Sequence, residues 1–171
     1  MLTLNGKRFG LVIVDDYSRF SWIFFIFHKN EAFDKFLLFF RRVQMVHGAK
    51  VAAIQTDHGD EFKNNSFDEF CDEQGIKHQY SSPRTPEQNG VVERKNRVLI
   101  EMARTMLAES GLPKKFWAEA INTACHILNR VMVRPILNRT PYELLKGKKP
   151  NVSYFKPFRV KCFIYNNNKK I

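Results

Sequence analysis

The chain has 171 residues, of which 44% are hydrophobic and 26% charged, and these proportions are typical of one globular domain. No apolar run reaches the roughly 18 residues that a membrane span requires, and the N-terminus lacks the apolar segment of a secretory signal. The three cysteines, Cys71, Cys125 and Cys162, are odd in number and widely spaced, which argues against a disulfide framework or a zinc motif. We therefore expect no membrane partner.

The net charge of +11 is concentrated near the C-terminus. From Arg130 onward there are 11 Lys and Arg residues against a single acid, Glu143. Such a basic segment suits contact with the phosphates of a nucleic acid. A solvated tail that is basic by chance is the alternative.

The first predicted elements are two strands and a helix. Residues Arg8 to Asp16 and Phe20 to Phe27 are rich in Val, Ile, Phe and Trp, and the short connection between them favours an antiparallel hairpin. A helix is predicted from Glu31 to Val46, because its apolar residues recur at intervals of three and four. Gly48 stands where a C-terminal cap is expected.

The next predicted elements alternate between strand and helix. Lys50 to Thr56 forms a short buried strand that ends at Asp57. A helix follows from about Asn65 to Gln74, closed by Gly75. Ile76 to Tyr80 is predicted to be another strand.

The second half of the chain is mostly helical. Ser81 to Gly90 contains two prolines and is predicted to be a mobile loop, followed by a long helix from about Val91 to Ala108. Leu112-Pro113 opens another helix, and Thr140-Pro141-Tyr142-Glu143 has the spacing of a capping box that starts a short one. One strand-like piece follows at Val160 to Tyr165. The order of elements predicts an α/β domain with a mixed sheet.

Two acids, Asp57 and Glu93, stand where chemistry is expected. Asp57 follows a strand, and α/β sites usually lie at the carboxyl ends of strands. Glu93 lies early in the predicted long helix. Taken singly, each has an ordinary alternative, because an Asp after a strand is often a turn residue and a Glu early in a helix often interacts with its dipole. His58 and His78 could approach a metal, but we expect them to be exposed polar residues.

The segments around these acids resemble the second and third acid motifs of copia-type retrotransposon integrases, a branch of the retroviral integrase superfamily. The first segment is Thr56-Asp57-His58-Gly59-Asp60-Glu61-Phe62, and the second runs from Ser82-Pro83 through Asn89-Gly90 to Glu93-Arg94-Lys95-Asn96-Arg97. Further matches, in the same order, are Val14-Asp15-Asp16-Tyr17-Ser18-Arg19, Phe116-Trp117-Ala118-Glu119-Ala120 and Asn138-Arg139-Thr140-Pro141-Tyr142-Glu143-Leu144. The resemblance spans nearly the whole chain.

The resemblance implies a ribonuclease H-like fold, in which helices flank a mixed sheet. It implies that Asp57 and Glu93 are catalytic ligands of Mg²⁺ or Mn²⁺, and carboxylate oxygens on rigid elements suit such hard cations. The implied reactions are trimming of the 3′ ends of a transposable element and transfer of those ends into target DNA. DNA is therefore the expected partner, and the complete integrase is expected to form homo-oligomers. It would act in the nucleus after import from the cytoplasm.

Four polar residues near Glu93 are expected to contact DNA. Asn89, Asn96 and Arg97 lie four before, three after and four after Glu93, so they share its helix face, and the matching positions in the family contact DNA. Lys95 is a further expected DNA contact on a different side of the helix, where it could equally face solvent. A solvated polar face is the alternative for each of them.

The resemblance also implies a third catalytic Asp on a strand just before Gly6-Lys7-Arg8, and this chain does not contain that strand. Asp15 and Asp16 match family positions that are not metal ligands. The absent strand would lie in the middle of the sheet, so two apolar strand edges would be unpaired. Either the hairpin then pairs with the Asp57 strand or another chain fills the gap, and we expect the chain alone to be poorly stable and inactive.

The expected organisation is an incomplete catalytic core at residues 1–146 and a basic extension at residues 147–171. Alternatives to an integrase core are a non-catalytic DNA-binding remnant, a ribonuclease H proper, and a relic without function. The remnant should bind DNA without dependence on a divalent metal, whereas the enzyme core should depend on one. Activity on an RNA–DNA hybrid would favour a ribonuclease H.

Overall fold

The computed structural model describes residues 3–163, apart from residues 49, 58, 60, 64 and 82–85. That part of the chain contains four strands and five α-helices. They are β1 (Phe9–Val14), β2 (Ser21–Ile26), α1 (Ala32–His47), β3 (Ala53–Thr56), α2 (Asn65–Gln74), β4 (Lys77–Tyr80), α3 (Pro86–Ser110), α4 (Trp117–Val131) and α5 (Pro141–Lys146). Short 3₁₀ turns, Lys29–Glu31 and Lys114–Phe116, precede α1 and α4.

The predicted hairpin is confirmed. Strands β1 and β2 pair antiparallel, in a register that runs from Phe9 opposite Ile26 to Val14 opposite Ser21. The turn between them is held by Asp15, whose Oδ2 accepts hydrogen bonds from the backbone N–H of Ser18 at 2.8 Å and from its hydroxyl at 2.5 Å. Asp15 is therefore engaged as a turn residue.

The strand before Asp57 pairs with the strand that follows α2. Strands β3 and β4 are parallel, with Ala53 opposite Lys77 and Thr56 opposite Tyr80, and α2 makes the crossover between them. Strand β3 begins at Ala53, three residues later than predicted, and Ala53 and Gln55 are exposed. A buried strand was expected. A strand with exposed residues has fewer side-chain packing contacts to stabilise it, which accounts for its shorter length.

Among the described residues, the two strand pairs form separate sheets, and no ladder joins β1 to β3. The hairpin therefore does not pair with the Asp57 strand, which was one of the two outcomes expected for a sheet without its middle strand. One edge of β1 and one edge of β3 have no described strand beside them. Such edges carry unpaired backbone N–H and C=O groups and can pair with other chains.

Helices provide most of the core that connects the two sheets. Buried residues of α3 and α4 pack together and against the hairpin; the cluster contains Leu99, Ala103, Leu107, Ala120, Ile121, Ala124, Cys125 and Leu128. A second cluster joins α1 and α2 through Phe36, Phe40, Phe67, Cys71 and Ile76. Ile13 of β1 and Phe62 of the loop after β3 also contact a third cluster beneath the hairpin. The two sheets are thus linked through side chains.

The long helix begins earlier than predicted. Helix α3 starts at Pro86 and ends at Ser110, whereas a loop was expected up to Gly90; of that loop, residues 82–85 lie outside the described residues. Proline is favoured in the first turn of a helix, since it has no N–H to leave unpaired there. Gly90 costs only about 1 kcal/mol inside a helix, which the buried face of α3 readily offsets.

The C-terminal part combines one confirmed and one wrong prediction. The capping box of α5 is present, with the Glu143 N–H donating to Thr140 Oγ1 at 3.2 Å and the Thr140 N–H donating to Glu143 Oε2 at 2.8 Å. The predicted strand at Val160 to Tyr165 is not formed over residues 160–163, the part of it that the structure describes. Phe163 is 95% exposed, and none of the four described strands pairs with it. No helix in the described ranges is both long and apolar enough to cross a membrane.

Candidate metal centre and nucleic-acid interface

Asp57 lies at the carboxyl end of the parallel pair β3–β4. It directly follows Thr56, the last residue of β3, and its side chain is exposed. Its Oδ1 accepts a hydrogen bond from the Gly59 N–H at 3.1 Å. Since α/β sites lie at this edge of a sheet, the position agrees with the sequence-based expectation.

Glu61 lies beside Asp57 because Gly59 leaves room for both carboxylates. A Cβ atom at Gly59 would lie 2.8 Å from Glu61 Oε2 and 3.0 Å from Asp57 Oδ1, so a larger residue would force the Glu61 carboxylate to shift and would crowd that of Asp57. The Glu61 side chain is only 18% exposed, and Lys29 Nζ lies 3.3 Å from its Oε1. The salt bridge from Lys29 was not predicted, because nothing local in the sequence relates the two residues.

Glu93 is exposed on α3. It lies about two turns into this helix, whereas the first turn was predicted. Within the described part of the chain, no hydrogen bond or ion pair joins Glu93 to Asp57. The two acids are therefore on separate elements, connected by a segment that includes residues 82–85.

Two of the four predicted DNA contacts are exposed on α3. Asn96 and Arg97 both face solvent, and Asn96 also lines a cleft of about 220 Å³ with Arg8 and apolar residues of the hairpin and α4. The backbone of Asn89 belongs to α3, but its side chain lies outside the described residues. The exposed residues can reach a phosphate without rearrangement.

The structure argues against a direct DNA contact by Lys95. Its side chain is buried, with 9% exposure. Burial lowers the pKa of Lys95; the nearby Cys125 thiol opposes this shift and the Arg19 charge adds to it. Lys95 lies on the side of α3 that faces α4 and the hairpin turn, so the helix packing removes it from solvent.

The basic extension packs on α4. His126 Nε2 lies 2.9 Å from the Tyr154 hydroxyl, and Arg130 is 3.0 Å from His126 Nδ1 and stacks over Tyr142 at 4.7 Å. Burial and the charge of Arg130 lower the pKa of His126. Arg159 donates a hydrogen bond to the carbonyl of Ser110 at the end of α3. Tyr154 and Arg159 thus attach the extension to α4 and to the end of α3.

The donor atoms near Asp57 are of the kind that a hard divalent cation prefers. Asp57 and Glu61 would supply carboxylate oxygens here, and Glu93 carries another on α3; Mg²⁺ is usually held by one or two carboxylates with positions left for phosphate. Among the described residues, however, no group of three or more His, Cys, Asp or Glu side chains lies close enough together to enclose an ion. The residues present fit part of a metal site.

The chain is similar to integrases at the level of sequence. Residues 3–86 match the family described as Integrase core domain. The chain is 34% identical over 163 residues to a retrovirus-related Pol polyprotein from transposon TNT 1-94 of Nicotiana tabacum. That alignment covers 95% of the chain but 12% of the polyprotein, so the chain spans only about an eighth of this relative.

Solved structures show the same fold. The HTLV-2 integrase catalytic core domain in complex with magnesium, in its trimeric form, is 26% identical, with a TM-score of 0.58, and the match covers 78% of this chain and 82% of that one. A chain of the simian T-cell lymphotropic virus intasome in complex with PP2A regulatory subunit B56 gamma has a TM-score of 0.66 at 22% identity, and the match covers 95% of this chain and 57% of that one. The fold is therefore that of a ribonuclease H-like integrase core, as expected. Together with the two acid motifs, these matches establish that the chain belongs to the integrase core domain family of retrotransposon Pol polyproteins.

Proposed function

We propose that the chain forms part of a DNA-integration active site in which Asp57 and Glu93 bind a divalent cation, Mg²⁺ or Mn²⁺. The observation that carries this proposal is the exposed Asp57 carboxylate at the carboxyl end of the β3–β4 pair, in a chain whose relatives are integrase cores. A divalent cation, when bound, lowers the pKa of an attacking water or 3′-hydroxyl and stabilises the leaving oxygen. The protein's contribution is to supply fixed carboxylate oxygens.

The reaction of the whole protein would be trimming of element 3′ ends and their joining to target DNA. Among the described residues, no three His, Cys, Asp or Glu side chains are grouped closely enough to hold a metal ion. We therefore propose that the isolated chain binds metal weakly and does not transfer strands. Completion of the site would come from further parts of a longer protein, assembled as a homo-oligomer.

The exposed face of α3 would contact the phosphates of DNA. Asn96 and Arg97 lie three and four residues after Glu93, so they lie on its face of the helix, and both are exposed. A guanidinium on this face suits a phosphate because it can donate two hydrogen bonds to one anion. The basic residues from Arg130 onward would add attraction that does not depend on base sequence.

Metal binding is tested by titrating the purified chain with Mn²⁺ and measuring free ion by electron paramagnetic resonance. Asp57→Asn should weaken Mn²⁺ binding by at least about tenfold. Even the loss of a residue that only orients a metal ligand through a hydrogen bond typically lowers metal affinity by that factor. Asp72→Asn is a matched control, since Asp72 is an exposed acid of α2. Equal affinities for the two variants would contradict the proposed role of Asp57.

DNA binding is tested by fluorescence anisotropy with a duplex at several salt concentrations. Arg97→Ala should weaken binding and reduce the salt slope by about 1. Arg94→Ala removes the same charge from an exposed position of the same helix that points about 60° further from Glu93 than Arg97 does, and it should have a smaller effect. DNA binding that is unchanged by EDTA and by Asp57→Asn would favour the DNA-binding remnant instead.

A further inference from the structure

His78 is a buried histidine that the proposed metal site does not use. Its side chain is 7% exposed, although an exposed histidine was expected from the sequence. The ring lies between Phe67, at a centroid distance of 4.8 Å, and Tyr80, at 4.3 Å. A polar ring in such a place needs hydrogen-bond partners, since leaving it without them would be costly.

Both nitrogens of His78 have partners. Nδ1 lies 2.9 Å from Asp68 Oδ1, and Nε2 lies 3.0 Å from Thr56 Oγ1. Because an ionised carboxylate only accepts hydrogen bonds, Nδ1 carries a proton, and in the neutral ring Nε2 then accepts from the Thr56 hydroxyl. This order of groups resembles a hydrolase triad, but Thr56 is only 8% exposed, so no substrate can reach its hydroxyl.

Asp68 has a second partner in Tyr80. The Tyr80 hydroxyl lies 3.2 Å from Asp68 Oδ1 and 3.3 Å from the carbonyl oxygen of Phe62. Burial raises the pKa of Tyr80, and the charge and hydrogen bond of Asp68 raise it further, so the hydroxyl keeps its proton. One proton shared between two acceptors accounts for two fairly long bonds.

These contacts act on both sides of Asp57 in the chain. Thr56 immediately precedes Asp57, and Phe62 ends the tight turn that follows it. Inside that turn, the Gly59 carbonyl accepts from the N–H of Phe62 at 2.9 Å and of Lys63 at 3.2 Å. The loop is therefore attached at its start through His78 and at its end through Tyr80, and both attachments lead to one carboxylate.

We propose that Asp68 is a positioning residue which, through His78 and Tyr80, holds both ends of the loop that carries Asp57. The Asp57 carboxylate is thereby presented at a defined place. The anchoring of the loop is independent of the proposed function; only its consequence for metal binding rests on Asp57 being a ligand. Asp68 itself is 53% exposed at the side chain, so it can be replaced without opening the core.

Amide hydrogen exchange measured by NMR tests the anchoring directly. Asp68→Ala should accelerate exchange of the Phe62 and Lys63 amides by about tenfold or more, which is the effect of losing hydrogen bonds to a charged group. Amides in the β1–β2 hairpin should change by less than about twofold, since the hydrogen bonds described above join only β3, α2, β4 and the loop after β3. Tyr80→Phe, which keeps the ring, should also accelerate the same two amides.

Asp72→Ala is the matched control, because it removes an exposed carboxylate one turn further along α2. It should leave the Phe62 and Lys63 amides unchanged. The proposal is overturned if Asp68→Ala has no effect on these amides. It is equally overturned if all amides, the hairpin included, accelerate together, because the effect would then be a general loss of stability.

Mn²⁺ binding separates this inference from the proposed function. Asp68→Ala should weaken Mn²⁺ binding by about tenfold, the usual effect of removing a group that orients a ligand, and Asp72→Ala should not. If Asp57→Asn leaves Mn²⁺ affinity unchanged, the proposed metal site fails, while the exchange experiment still decides the anchoring. If Asp57→Asn weakens binding and Asp68→Ala does not, the positioning role is refuted and the metal site stands.

Discussion

Asn129 provides a quantitative test of how α4 is attached to the hairpin. Its side-chain amide is buried, with 3% exposure; Oδ1 accepts from the Ser21 N–H at 2.9 Å and Nδ2 donates to the Ser21 carbonyl at 2.8 Å. Asp15 and Phe20 form a hydrogen-bonded pair across the hairpin. Hydrogen-bonded and non-hydrogen-bonded pairs alternate along an antiparallel ladder, so Ser21, the first residue of β2, directs its backbone N–H and C=O away from β1. Asn129 thus takes the place of a neighbouring strand.

Replacing Asn129 by Ala would leave the Ser21 N–H buried without a partner, at a cost of about 1–3 kcal/mol. The Ser21 carbonyl would keep the Cys125 thiol as a donor at 3.3 Å, so its loss is about 0.5–1.5 kcal/mol. We expect Asn129→Ala to lower the free energy of unfolding by about 1.5–4.5 kcal/mol in total. This is a large fraction of the stability of an ordinary domain.

The assay is equilibrium unfolding in urea, with circular dichroism as the signal. Asn122→Ala is the matched control, because Asn122 is an exposed residue two turns earlier in α4. Both substitutions raise the helix propensity by the same amount, about 0.5 kcal/mol, so this gain cancels when the two variants are compared. Asn129→Asp keeps the shape and the acceptor but removes the donor, so it should also destabilise. A difference of less than about 1 kcal/mol between Asn129→Ala and Asn122→Ala would refute the reasoning.

Two further predictions concern the ends of the fold. Thr140→Ala should lower the free energy of unfolding by about 0.5–2 kcal/mol in urea titrations, because it breaks the reciprocal bonds with Glu143; an unchanged midpoint would contradict the capping box. Of the three thiols, only exposed Cys162 should react quickly with a disulfide reagent at pH 8, since burial raises the pKa of Cys71 and of Cys125 to about 11. The unfolded chain releases these two protons near pH 9 while the native state holds them, so the free energy of unfolding should fall as pH rises from about 9 towards 11. Two or three fast thiols, or a flat pH profile in that range, would contradict the burial of these residues.

Part of the candidate site could be predicted because it depends on motifs. Asp57 follows a strand and Glu93 lies on the following long helix, as the sequence indicated, and Asn96 and Arg97 share the exposed face of that helix. Their roles as metal ligands and DNA contacts remain predictions. Lys95 belongs to the same motif, yet it is buried, because the side of α3 to which it belongs is covered by α4 and the hairpin turn.

The sequence by itself determined the local elements of this protein. The hairpin, the helix ending at Gly48 and the capped helix starting after Thr140 all follow from side-chain periodicity and from the chemistry of turns and caps, which act over a few residues. The family follows from the same short motifs. Each of these features was therefore readable without knowledge of distant contacts.

Only the tertiary structure decided which polar groups are buried and what they hold together. Thr56 and His78 are separated by 22 residues, and Ser21 and Asn129 by 108, so no local pattern relates them. Whether two sheets merge or remain separate likewise depends on long-range pairing, and here β1 and β3 are joined only through side chains. Asp57 was visible in the sequence, but the network from Asp68 that anchors its loop exists only because the fold brings β3, α2 and β4 together.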